Sequence, residues 1–309
     1  MRGLTRALVV GGAGFYGGWV VEALRGRGVE PLVLDTAARA ARDGSPAVET
    51  VAGDATEVDL AGLVATRRID AIFQLAGTGL VPSSLERPLD DLVRNAATTV
   101  AVLDAARRAA TPPVVAYVSS AAVYGEGVRM PMDEEHPTAP LSPYGISKLA
   151  AERYVALYAE MYGLPAFSVR PFSLYGPRQR KLVVYDLLRR ARDGESPLVV
   201  AAPAEVSRDF VYVEDAAGAL VALAESAPAR GEAYNIASGR PTTLRELAEE
   251  IVASLGLETP VEFTGALRPG DPVRWDGDAS RARALGASFD TPLAEGLRRT
   301  AAWLAGGAA

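Results

Sequence analysis

Tyr144 and Lys148 stand four residues apart in the run PYGISKLAAERY, Pro143 to Tyr154. On a helix that starts near Pro143, this spacing puts both side chains on one face, one turn apart. A free tyrosine loses its proton only near pH 10. It acts as a base near neutrality where positive charge close by favours the phenolate, and Lys148 is such a charge. Upstream, VSSAAVYG ends an apolar run with Ser119 and Ser120, small hydroxyls suited to bonding a reacting substrate oxygen. The chemistry these residues permit is proton transfer at a substrate hydroxyl. A Tyr-x-x-x-Lys pair alone is more often surface decoration, so its meaning rests on the elements that carry it.

Those elements alternate. ALVVGG (Ala7–Gly12), PLVLD (Pro31–Asp35), AIFQLA (Ala71–Ala76), VVAYVSS (Val114–Ser120) and AFSVRP (Ala166–Pro171) read as buried strands. Between them GWVVEALRGRG, DLAGLVATRRI, DLVRNAATTVAVLDAARRA and SKLAAERYVALYAEMYG carry an apolar face at helical period. Alternating strands and helices predict an α/β fold, a doubly wound parallel sheet covered on both faces. After Pro171 the rhythm loosens: a helix VVYDLLRRARDG, a strand DFVYV and a helix TLRELAEEIVASLG lie among loops. The stretch RDFVYVEDAAGALVALAE is expected to rejoin the main sheet layer.

Composition narrows the chemistry. Of 309 residues, 49% are hydrophobic and 23% charged, which is a globular balance with length for a real core. A net charge of −6 argues against nucleic acid as a partner. The absence of cysteine removes disulfides, thiolate catalysis and cysteine zinc sites, and one histidine argues against a histidine metal centre. The N-terminal run MRGLTRALVVGGAGFYGG has only a short apolar stretch, so neither a signal peptide nor a membrane span is expected, and the protein is expected in the cytoplasm.

Directly after the first strand comes GGAGFYG, with Gly11, Gly14 and Gly17 three apart, and then a helix. Glycines there allow a tight turn, a close backbone approach to a pyrophosphate and close helix–strand packing, while the helix N-terminus offers free N–H groups. Asp35 ends the next strand, at the distance expected of a carboxylate that accepts both adenosine ribose hydroxyls. Such a carboxylate repels a 2′-phosphate, so NAD is favoured over NADP, although Arg39 and Arg42 follow closely. Asp54, in AGDATE after the third strand, fits two roles: an acceptor for the adenine amino group, or a helix-cap or turn aspartate.

With these pieces in place, the chain resembles the extended short-chain dehydrogenase/reductases of the nucleotide-sugar epimerase/dehydratase family. The similarity runs nearly end to end, through GGAGFYG, LAG (Leu75–Gly77), SSAAVYG, SPYGISK, RPFSLYGPRQ, RDFVYVEDAA, YNIASG and RPGD. It implies a Rossmann-type fold in which residues 1–170 bind NAD, rejoined by about 209–235. Residues 171–208 and 236–309 would form a smaller, loop-rich nucleotide-sugar domain. It implies Tyr144 as base, Lys148 as its partner and holder of the nicotinamide ribose, and Ser120 on the substrate oxygen. Gly11, Gly14, Phe15, Tyr16, Gly17, Asp35, Asp54, Ala55, Leu75, Ala76 and Gly77 would contact the cofactor. Arg208 and Arg268 would bind the nucleotide diphosphate or ribose, where guanidinium forks suit phosphate oxygens. Ser83 and Ser84, in LVPSSLERP, are candidates to touch substrate.

The resemblance also separates reactions. Dehydratases of this family carry Asp-Glu after the catalytic hydroxyl residue, where this chain has Ala121 and Ala122, and decarboxylating relatives keep a glutamate at the position of Ala122. Neither alanine transfers a proton. The favoured reaction is therefore 4-epimerisation of a nucleotide-sugar through transient oxidation by bound NAD. The alternatives are a 4-ketoreductase using exchangeable NAD(P)H and, in another class, a nonenzymatic NAD-binding regulator. Most relatives have asparagine where RPFSLYGPRQ has Ser173. Uronic-acid epimerases resemble this chain in having a small hydroxyl residue there and an arginine at Arg180, which points to a substrate carboxylate or another anionic group. Against that, Ala121 and Ala122 replace hydroxyls that help hold a carboxylate, and no glycine-rich turn precedes Arg208. His136 reads as an exposed loop residue, Asn95 as a structural helix residue, and Trp275 and Trp303 as core or interface. A homodimer joined through helices 90–110 and 147–162 is implied by the resemblance alone.

Overall fold

The computed structural model describes residues 2–36, 48–265 and 272–306. Among them, β1 (Arg6–Val10), β2 (Glu30–Asp35), β3 (Thr50–Ala52), β4 (Ala71–Gln74), β5 (Val114–Val118), β6 (Ala166–Pro171) and β10 (Arg230–Ile236) form one parallel sheet. Its order is β10-β6-β5-β4-β1-β2-β3, so the direction of winding reverses between β1 and β4. In such a sheet the loops leaving the two strands part there and open a crevice at their carboxyl ends.

Helices cover both faces because the strands alternate. Ala7 and Val9 of β1 pack with α1 (Phe15–Gly26), whereas Leu8 and Val10 face the opposite layer. That opposite layer contains α2 (Leu60–Arg67), then α3 (Val81–Glu86), α4 (Pro88–Leu92) and a π-helical turn Val93–Ala97 leading into α5 (Thr98–Arg107), and finally α6 (Pro143–Tyr162). Every residue of β5 and β6 is buried, as expected of strands covered on both sides. Among the described residues, no helix is long and apolar enough to cross a membrane.

A second layer of structure stands beyond β6. There, β7 (Ser173–Tyr175), β9 (Ser207–Tyr212) and β11 (Pro241–Thr243) make a three-stranded sheet, and β8 (Leu198–Val200) pairs with β12 (Val261–Phe263). Helices α7 (Leu182–Arg192), α9 (Leu244–Ser254) and α11 (Leu293–Ala305) close their own core around Tyr175, Phe210 and Tyr212. The helix α8 (Val213–Ser226) returns to the main sheet and packs on α1, with Tyr16 donating to the Ala216 carbonyl at 2.9 Å, while α10 (Ser280–Arg283) lies near β10.

The stretch expected to rejoin the main sheet therefore divides. Its helix does so, but its strand, β9, does not; the place beside β6 is taken by β10, and β9 pairs in parallel with β7 instead. Phe210 and Tyr212 on one face of β9 belong to the second core, which holds the strand there.

His136 also differs from expectation. It is 3% exposed, its Nε2 accepts from the Val128 N–H at 3.1 Å, and its Nδ1 meets the Pro137 carbonyl at 2.9 Å. With Tyr124 edge-on against it at 5.4 Å, the imidazole is a structural crosslink of a loop, neither exposed nor near a proton-transfer role.

Candidate active site

The glycine run is shaped by contacts that exclude side chains. Gly11 has φ +87°, and a Cβ there would lie 2.7 Å from the Ala76 nitrogen; one on Gly17 would lie 2.8 Å from the Gly12 Cα. The turn between β1 and α1 is thus pressed against the end of β4 and against its own helix. Gly14 is the N-cap of α1 and supplies no side-chain cap, so the first N–H groups of that helix remain open to an acceptor. Asp35, 7% exposed at the end of β2, accepts from the Ala13 N–H at 3.0 Å. Its carboxylate braces the glycine turn and lies at the edge where a ribose would sit. These features fit a dinucleotide: open amides for a pyrophosphate, a cradle that a Cβ would fill, and a carboxylate alongside.

The other cofactor candidates divide by side chain and backbone. Phe15 opens α1 at the crevice, but the Tyr16 side chain is committed to Ala216, so only its backbone faces the pyrophosphate position. Leu75, Ala76 and Gly77 follow β4 at the same edge. Ala55 is buried in the second layer. Asp54 accepts from the N–H and hydroxyl of Thr56 at 2.9 and 2.7 Å, bonds that hold its carboxyl below the usual range. Its observed bonds are those of a turn aspartate.

The residues expected to transfer a proton meet at the end of β5. Ser142 caps α6 by accepting from the Gly145 N–H at 3.2 Å, and Pro143 occupies the first helical position. This start places Tyr144 beside Ser120, whose hydroxyl favours the phenolate. Ser120 Oγ also accepts from the Ala122 N–H at 3.1 Å, which fixes it at the head of a short 3₁₀ turn. Ser119 is buried, and its hydroxyl has no hydrogen-bond partner. Lys148, 4% exposed, donates to the Val118 carbonyl at 3.0 Å, and its Nζ lies 5.9 Å from the Tyr144 ring centre. Burial pushes Tyr144 above its ordinary value, eased by Ser120. Burial also pulls Lys148 down to about 8.

Beneath them lies a polar ring that the sequence reading did not assemble. The Asn95 amide donates to Thr78 Oγ and to Ser147 Oγ, each at 2.9 Å, and its oxygen accepts from the Thr78 N–H at 3.1 Å. Both hydroxyls in turn donate to the carboxylate of Asp91, Ser147 at 2.5 Å. Asn95 is therefore structural, as expected, but Asp91 escaped notice. The signal was the break in helical period around PLDDLVRN, which the structure resolves as a π-helical turn turning Asn95 inward.

On the substrate side the candidates scatter along the crevice. Ser83 and Ser84 donate back to Leu80 and Val81 carbonyls, and Ser84 is fully buried, so that hydroxyl serves its own helix. Ser173 begins β7 and is half-buried, while Arg180 is exposed. The Arg208 guanidinium lies 5.5 Å over the ring of Trp275, whose indole donates to the Gly125 carbonyl at 3.0 Å. Arg268 lies outside the described residues, as do Arg39 and Arg42.

A profile of the NAD dependent epimerase/dehydratase family matches residues 7–237, which spans the glycine turn, the tyrosine–lysine helix and β10. The chain belongs to that family. Among relatives of this epimerase-family chain, the UDP-glucose 4-epimerase of Mycolicibacterium smegmatis is 33% identical over 305 residues, covering 96% of this chain and 97% of its own. A UDP-N-acetylglucosamine 4-epimerase from Methanobrevibacter ruminantium M1, solved with UDP-N-acetylmuramic acid, superposes with a TM-score of 0.89 at 29% identity over 99% of both chains. The UDP-glucose 4-epimerase of Thermus thermophilus, solved with NAD, gives 0.88 at 31% identity over 98% of this chain and 99% of its own. NAD is the cofactor of this family member, and the glycine turn and Asp35 are the residues that fit it.

Lys148 gives the family's site a measurable signature. Above about pH 8 the folded protein leaves Lys148 neutral, whereas the unfolded chain keeps it protonated to roughly pH 10. The unfolded state then binds the extra proton, so this residue's contribution to stability rises with pH across that window. Lys148→Met is expected to be more stable than wild type near pH 7.5, with the advantage shrinking by pH 9.5. Urea unfolding at intervals between those values checks it; a constant difference would contradict the assignment.

Proposed function

We propose that this protein is an NAD-dependent epimerase inverting C4 of a UDP-linked sugar, with Tyr144, Lys148 and Ser120 as its catalytic residues. The observation that carries the reading is the Tyr144 ring 5.9 Å from the Nζ of buried Lys148, with Ser120 held beside them at the end of β5, on the crevice edge shared with the glycine turn. When bound, the cofactor supplies a reversible hydride acceptor. Ser120 holds the C4 oxygen and Tyr144 removes its proton. The Lys148 ammonium keeps the local potential positive and holds the nicotinamide ribose together with Tyr144.

Ala121 and Ala122, both buried, offer no group that moves a proton, which leaves the sugar ring free of elimination chemistry. Once flat at C4, the sugar turns within the crevice while Arg208 and Arg268 hold its diphosphate. The proposed division of labour is 1–171 with 213–236 for NAD, and 172–212 with 237–309 for the nucleotide-sugar.

Purified protein is expected to interconvert the C4 epimers of a UDP-sugar without added cofactor and to release NAD on denaturation. Tyr144→Phe is expected to lower kcat by about 10²–10⁴-fold, the usual worth of a positioned acid–base group. Wild-type turnover in that variant removes Tyr144 as the base, and stoichiometric use of added NADPH replaces epimerisation with reduction.

Arg180 extends the proposal to substrate choice. An exposed guanidinium a few residues past Ser173 suits an anionic sugar. Its backbone is bracketed by left-handed residues, Arg178 and Leu182, each at φ 72°. Arg178 stacks on Trp19 at 4.3 Å and pairs with Glu22, which clasps this loop to α1. Arg180→Ala is expected to lower kcat/KM for a UDP-uronic acid at least about tenfold more than for the neutral sugar, since one charge-assisted bond is worth about 1.5–3 kcal/mol. Equal losses on both substrates would dismiss the uronic assignment.

The enzyme is further proposed to be a cytoplasmic homodimer. Exposed Leu89, Leu92 and Val93 beside α5, and Tyr154, Leu157 and Met161 on α6, give those helices the apolar outer face that such a contact needs. Sedimentation should give twice the chain mass, and Met161→Asp should return the monomer.

A further inference from the structure

Asp91 is 1% exposed, and none of the ion pairs among the described residues includes it. A buried carboxylate with no positive charge near it is strongly disfavoured, and so is a buried ammonium with no negative one. Lys148 is in the second position: its Nζ is satisfied by a carbonyl, not by an anion. The two groups come from different elements, α4 and α6, and are joined through the ring of Thr78, Asn95 and Ser147. Ser147 neighbours Lys148 on α6, so the hydroxyl that solvates the carboxylate also fixes the turn that carries the lysine.

We propose that Asp91 is a positioning residue whose buried carboxylate is the counter-charge of Lys148 and sets the pH range in which the Tyr144–Lys148 pair works. The reading rests on Tyr144 and Lys148 being the reacting pair.

Other ionisable groups do not fill this role. Facing Lys148 are Tyr144 on its own helix, Tyr117 from β5, whose ring centre is 5.3 Å from Nζ, and Asp91, while Glu152 one turn on acts on Tyr117. The tyrosines are neutral when protonated. Glu152 is already paired with Arg170, both buried. Asp91 remains as the unpaired negative charge, and it acts on both partners: it favours the ammonium of Lys148 and disfavours the phenolate of Tyr144. A merely structural carboxylate would support the ring without moving either titration.

The chain makes the test direct, because Lys148 and Lys181 are its only lysines. Labelled at the ε-carbon, they give two NMR signals in the cofactor-free protein, and Lys148→Met tells which is which. Wild-type Lys148 is expected to titrate near pH 8. Asp91→Asn keeps the size and one acceptor oxygen, sets an NH2 donor in place of the other oxygen, and removes the charge. It is expected to move that midpoint down by about one unit, the low end for loss of a nearby opposite charge.

In the active enzyme, both limbs of the kcat–pH profile should move to lower pH, since the ammonium becomes easier to lose and the phenolate easier to form. Ser147→Ala removes the hydroxyl's bonds to Asp91 and Asn95 but no charge, and it should leave the lysine midpoint in place. An unmoved midpoint in Asp91→Asn, or equal shifts in both variants, overturns the proposal. Should Asp91→Asn not fold, the wild-type titration decides. A midpoint at or below about 6, where buried lysines without a counter-charge fall, overturns it. These NMR results do not depend on turnover, so they stand apart from the Tyr144→Phe result that tests the reaction itself.

Discussion

The backbone at Gly11 runs so close to the end of β4 that one added carbon would lie 2.7 Å from the Ala76 nitrogen. That junction sits where the sheet reverses its winding, and the rest of the site is referred to it. It holds the start of α1 over the crevice with its amides open. It leaves the ends of β2, β4 and β5 level enough for Asp35, Leu75–Gly77 and Ser120 to border one space. A side chain there would have to push β1 and β4 apart, and the pairing of Val10 with Gln74 leaves no room for that.

The helix that carries Tyr144 and Lys148 is held from below as well as from its cap. Ser142 and Pro143 fix where α6 begins, and the ring through Asn95 and Asp91 fixes how deep its first turn sits. A second tie, the buried Glu152–Arg170 pair, joins the same helix to β6, and Arg170 also donates to the hydroxyl of Tyr124 at 2.9 Å. Polar contacts under a helix that carries chemistry restrain rotation about its axis more sharply than apolar packing does, because a hydrogen bond lost in the interior costs more than a slide between aliphatic groups.

The local parts of this site were legible in the sequence because each rests on neighbours in the chain. The glycine turn, Asp35 at a strand end and Tyr144 one turn before Lys148 are all spacings within one or two elements. The five strands read from apolar runs are in the sheet, and the reversal near β1 follows from alternating elements. What escaped depends on distant contacts. Asp91 becomes a buried charge only because Thr78 and Ser147, from two other segments, point hydroxyls at it. His136 reads as an exposed loop residue until Val128, Pro137 and Tyr124 enclose it. The segment Ser207–Tyr212 looks like any strand with a helix after it. Only the aromatic core around Tyr175 draws it out of the main sheet.

The second sheet is joined to the first by very little chain. A single residue, Phe172, separates β6 from β7, and none separates β9 from α8. An extended residue spans roughly 3.3 Å, so neither crossing has slack to take up a sliding motion. Ser173, the second residue past β6, lies opposite Phe210 on the strand that carries Arg208, so both side chains stand at distances from the main sheet that the chain itself sets.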